Sequence, residues 1–125
     1  MKNVLNREQL LAKEKIEVKE VDLGNENVIY VKQMTGKERD DFEQSVLRTK
    51  KDAKGKTEYE AVVEDFRTKL IVKTACDEKG NLIFNVDDAR TLSQNMSAKT
   101  IDKIVEASQE LNGISEKDKE DLIKN

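Results

Sequence analysis

The side chains able to do chemistry in this chain are mostly carboxylates. Adjacent acid pairs occur at Asp40-Asp41, Asp87-Asp88 and Glu120-Asp121. Acid–base or magnesium chemistry would need such groups to converge on one cleft. Neighbours on a helix point about 100° apart, so these pairs do not converge by themselves and read as charges at helix starts and on solvated faces. The chain has no histidine and one cysteine, Cys76. A histidine general base, a Ser-His-Asp triad and a Cys-His pair are therefore excluded within it, as is a four-ligand Cys/His zinc site. Cys76 is followed by Asp77 and Glu78, which disfavour a thiolate, so it reads as an inert buried thiol.

Two other motifs dissolve on inspection. Asp77, Gly80 and Asn81 superficially suggest a calcium loop. Gly80 falls at the fourth position, however, and Lys79 occupies a ligand position, where an EF-hand needs glycine sixth and alternating acids. A helix-to-strand turn is the simpler reading. Gly55-Lys56-Thr57 lacks the leading glycine of a phosphate-binding loop. The run from Arg48 to Lys56 holds five basic residues and one acid. No aromatic is interleaved there to stack on bases, and the net charge of −3 opposes general affinity for a phosphate backbone. This run reads as a flexible basic loop, and nucleic acid as an unlikely partner. No cofactor is expected.

The scaffold that must position these groups is small. A length of 125 residues suits one domain. The charged fraction is 39%, against about 25% in an average soluble domain. Leu, Ile, Val and Phe number 32, about a quarter of the chain and above the roughly 20% level that signals disorder. A folded domain with a thin core follows. The absence of proline permits long helices. No apolar run is long enough for a signal peptide or a membrane span. With a single cysteine, a reducing, cytosolic setting is expected.

Hydrophobic periodicity and capping residues give an α+β fold, mostly helical, with an N-terminal β-hairpin packed against a small helical bundle. Asn6 and Gln9 cap a short helix over 6–14. Alternation over 16–23 and 28–34 around Gly24-Asn25-Glu26-Asn27 reads as a hairpin, and a slip of apolar phase between Val18 and Val21 suggests a bulge. Thr35 and Glu38 form a capping box for a helix to about Lys50, and Thr57 and Glu60 for another to about Cys76. The second carries Val62, Val63, Phe66 and Leu70 at helical spacing. Leu82-Ile83-Phe84 reads as extended. Asn85 caps a short helix over 86–94, Ser97 a longer one over 98–112 ending at Asn112-Gly113, and Ser115 a weak final helix. Residues 1–125 form a single domain, with 1–15 and 114–125 mobile or dependent on a partner. The apolar pairs Leu10/Leu11 and Leu122/Ile123 lie on otherwise charged terminal helices. They dock either on the protein's own core or on a partner, and as partner-binding residues they are the candidate site.

Three stretches together resemble the tail assembly chaperones of long-tailed bacteriophages, the family of the lambda gene-G protein. They are VIYVKQMTGKERDDFE from Val28 to Glu43, LIVKTACDEKGNLIF from Leu70 to Phe84, and Leu92-Ser93 with the helix from Ala98 to Gly113. The resemblance implies a non-enzymatic assembly factor. Such a factor holds the long, aggregation-prone tape measure protein, recruits tail tube protein subunits around it, acts in the host cell cytoplasm and is absent from the mature virion. It also implies a frameshifted longer form, for which codons of Lys124 and Asn125 in an A-rich slippery run would serve. A homo-oligomer along the client fits the same role. The competing classes are a structural phage protein, such as a head-tail connector subunit, and a small nucleic-acid-binding regulator.

Overall fold

A computed structural model describes residues 1–52 and 58–124, with the side chains of residues 50–52 and 58–61 left aside. The fold is α+β. In chain order the elements are α1 (Arg7–Leu11), β1 (Val18–Gly24), β2 (Asn27–Lys32), α2 (Gly36–Asp52), α3 (Glu58–Thr74), β3 (Ala75–Cys76), a 3-10 turn (Val86–Asp88), α4 (Ala89–Asn95), α5 (Ala98–Leu111) and α6 (Glu116–Lys124).

The hairpin gains a third strand. The sheet order is β1-β2-β3, antiparallel throughout. Ala75 and Cys76, expected as the last turn of a helix, instead pair with Val31 and Tyr30. Leu82 then pairs with Cys76 through an isolated bridge, so the extended reading of Leu82 holds over a single residue pair. The register of β1 on β2 is unbroken from Val18↔Lys32 to Asp22↔Val28, and the irregularity falls between Asp22 and Gly24, beside the turn. The expected slip at Val18–Val21 has another cause: both faces of the hairpin are partly covered. Val21 and Val31 face the core. Val18 faces the turn at Gly80, where an added Cβ would lie 3.4 Å from its Cγ2.

α3 is the central helix. Val62, Phe66, Thr68, Leu70, Ile71, Val72 and Thr74 are all buried, because α2, α4, α5, α6 and the sheet pack around it. A helix surrounded in this way needs apolar residues on most of its circumference rather than along one stripe. Phe42 of α2 meets the Phe66 ring edge-on, with centroids 5.4 Å apart. Such edge contacts add about 0.5–1.5 kcal/mol beyond area burial. Ile101, Ile104 and Val105 of α5 complete the core.

Polar joints fix the packing. The Thr74 hydroxyl donates to the Leu70 carbonyl at 2.6 Å and shares a 2.8 Å bond with the Ser108 hydroxyl, both groups fully buried. Asn112, just past α5, accepts from the Met34 N–H at 2.7 Å and donates to the Lys32 and Ser108 carbonyls. Arg39 donates to the Asn112 carbonyl at 3.0 Å. One side chain thus ties the end of α5 to the junction between β2 and α2. Gly113, at φ +65°, turns the chain there, and Ile114 follows into the core.

Two of the segments singled out in the sequence can be placed. Residues 114–124 pack on α2 and α3. Ser115 and Asp118 form a capping box, Ile123 is buried against the core, and the Lys119 ammonium lies 5.6 Å above the Phe66 ring. Of the basic run, Arg48 to Asp52 continue α2 as helix, because nothing in that stretch breaks a helix. Residues 53–57, with the Thr57 cap, lie outside the described residues.

Candidate functional site

The two apolar pairs singled out in the sequence have different fates. α1 begins where its capping box dictates but ends at Leu11, short of the expected residue 14. The Gln9 N–H donates to Asn6 Oδ1 at 2.9 Å, and the Asn6 N–H donates to Gln9 Oε1 at 3.0 Å. Yet no residue of α1 is buried. Leu10 and Leu11 are 66% and 68% exposed, and Val4 and Leu5 beside them are exposed too. A one-turn helix is marginal without tertiary contacts, so α1 presents leucines to solvent on a segment that its caps alone hold.

The second pair splits. Ile123 belongs to the protein's own core, whereas Leu122 is only partly buried. Consecutive helical residues point about 100° apart. When α6 packs on α2 and α3, one member of the pair goes in and the other reaches the rim. Ile123 is thereby removed from the surface, and Leu122 stays at a boundary.

That boundary is a shallow groove between α2 and α6 with a volume of about 550 Å³. Leu47 and Leu122 supply apolar surface, and Asp40, Glu43, Asp118 and Asp121 line it with carboxylates. Its single cation, Arg39, lies 3.7 Å from Glu43 and also bonds Asn112. This groove is not legible in the sequence, because its residues come from α2 and α6, which α3, α4 and α5 separate in the chain. Phe42 and Val46 of α2 are buried in the core, whereas Leu47 beside them is exposed.

The remaining candidates are structural. Asp77 accepts from the backbone N–H groups of Lys79 and Asn81 at 2.8 and 3.0 Å. These bonds hold its carboxyl below the usual range, the bond from Asn81 counting most. The motif is a turn closed on itself. Burial, then the neighbouring Asp77, pushes the Cys76 thiol up, which keeps it protonated and unreactive. Asp40 and Asp41 point apart: Asp41 pairs with Lys37 at 3.4 Å while Asp40 faces the groove. Asp88 accepts from the Asn85 N–H at 2.7 Å, so it caps the helical turn. Among the described residues no group of three or more His, Cys, Asp or Glu side chains is arranged to hold a metal ion, and no helix is long and apolar enough to cross a membrane.

Burial alone would raise the Glu38 pKa, but the Thr35 N–H and the Lys32 ammonium outweigh it and hold the carboxyl below its ordinary value. The Lys32–Glu38 pair, at 3.0 Å and partly buried, locks the start of α2 onto β2.

Comparison with protein-family models, curated proteins and solved structures gives no match for this chain.

Proposed function

We propose that this chain is a protein-binding assembly factor, a tail assembly chaperone of a long-tailed bacteriophage, with α1 as a binding element. The observation that carries the binding role is the exposure of Leu10 and Leu11 on a capped but unpacked helix. Leucines left mostly exposed on a folded element that has no buried residue are the pattern of a segment completed by a partner. The three stretches that resemble the tail assembly chaperones supply the client: the tape measure protein, with tail tube subunits recruited around it. A long helical client with apolar stripes suits weak, repeated contacts from many small charged copies, whose binding multiplies along one chain.

Mass spectrometry of purified virions separates this role from that of a connector subunit. A chaperone is absent from finished particles and present in infected-cell lysate. Recovery of the chain at stoichiometric levels in virions would assign it to the particle instead. Gene order gives a second check, since the reading expects this gene just upstream of one for a very long helical protein.

A further inference from the structure

The structure leaves two complementary surfaces uncovered. One is the N-terminal arm, residues 1–16, with exposed Val4, Leu5, Leu10 and Leu11. The arm carries four cationic side chains, Lys2, Arg7, Lys13 and Lys15, against Glu8 and Glu14. The other is the α2/α6 groove, where four carboxylates face one arginine around Leu47 and Leu122. The arm is therefore basic and apolar, and the groove acidic and apolar. The arm's root, at Lys13 and Ile16, borders a cleft with Met34, Gly36 and Asn112. Arg39, at the end of the groove, lies one helical turn beyond Gly36 and bonds Asn112. Arm and groove thus share one end of the molecule, yet the arm does not cover the groove of its own chain.

We infer that the α2/α6 groove receives the N-terminal arm of a second copy of this chain. Leu10 and Leu11 lie against Leu47 and Leu122, with Arg7 and Lys13 set among Asp40, Glu43 and Asp121. Helix-in-groove recognition uses this pattern of a few apolar anchors within a charged frame. The charges are exposed and screened by salt, so they set orientation and partner choice while the leucines supply contact. Each copy offers one arm and one groove, which gives either a closed exchange or an open chain of copies. The inference rests on the reading of α1 as a binding element and names a second copy as its occupant in the free chain, one that the apolar stripe of a client displaces; it does not depend on the identity of the client.

The test uses the purified full chain alone, in sedimentation velocity from roughly 1 to 100 μM, the range of modest interface affinities. The mass of wild type rises with concentration and falls back with added salt. Arg7→Glu/Lys13→Glu reverses the arm and Asp40→Lys/Asp121→Lys the groove. All four positions are exposed, so thermal unfolding should stay close to wild type and report intact folding. Each double variant alone loses association by roughly tenfold or more, and an equimolar mixture recovers it because the reversed charges again match. A wild type that stays monomeric throughout overturns the inference, including one whose own arm has folded onto its groove. So does association that ignores both reversals. Loss of client binding with self-association intact would count against the chaperone reading instead.

Discussion

At the residue scale, stability rests on a few polar joints between elements. Thr74 and Ser108 share a hydrogen bond in the core, and neither hydroxyl has solvent access. Thr74→Val should cost about 1–3 kcal/mol, because it removes a bond and strands a buried partner. Adding Ser108→Ala removes the stranded group, so the double variant should lose less than the sum of the two single changes. A double-mutant cycle in urea measures this. Glu38 makes a pH prediction. Its folded carboxyl titrates below the ordinary value of 4.5, so its contribution is present above that value and is lost as pH falls through the folded value. Glu38→Gln should therefore destabilise at pH 7 by about 1 kcal/mol, with the gap to wild type closing as acidification takes the carboxyl through its folded value, below 4.5. Urea unfolding at pH 7 and through that acid range checks it, and a gap independent of pH would reject the assignment. Residue identities alone also supported the dismissal of the Asp77 motif and of Cys76, since the disqualifying neighbours are adjacent in sequence.

At the scale of elements, local rules carried far and tertiary pairing did not. The boxes at Asn6/Gln9 and Thr35/Glu38 and the cap at Ser115 all stand in the structure, because a cap is written within four residues. β3 was invisible, because two residues acquire strand character only from Tyr30 and Val31 across the sheet. The fate of Leu122 and Ile123 was equally hidden, because it depends on how α6 meets α2 and α3. The two terminal helices should respond differently to mutation. Ile123→Ala empties a core position and should cost about 2–4 kcal/mol. Leu10→Asp with Leu11→Asp touches nothing buried and should leave the melting temperature of the dilute chain within about 2 °C of wild type. A large loss from the α1 change would mean that these leucines support the fold. The hairpin offers a gain. Glu26 sits at φ +64°, a conformation that costs an ordinary side chain about 1 kcal/mol and that glycine adopts freely. Glu26→Gly completes an Asn-Gly turn and should stabilise by about 0.5–1 kcal/mol in denaturant unfolding.

At the scale of the whole molecule, a core built around α3 holds a heavily charged exterior, broken by exposed apolar residues of the N-terminal arm and of the stretch from Leu82 to Val86. That contrast supports a binding role. Composition made the absence of histidine-based catalysis plain, and periodicity gave the mostly helical α+β class. The α2/α6 groove came only with three-dimensional packing, since Leu47 and Leu122 gain meaning from each other. The central claim is that the chain holds an apolar helical client through α1. Co-expression with the tape measure protein tests it most directly, with the fraction of client in the soluble phase as the readout. The account predicts that the wild-type chain keeps the client soluble and co-purifies with it, and that Leu10→Asp/Leu11→Asp, folded as well as wild type, loses both effects. A client that precipitates equally with and without the wild-type chain would contradict the account.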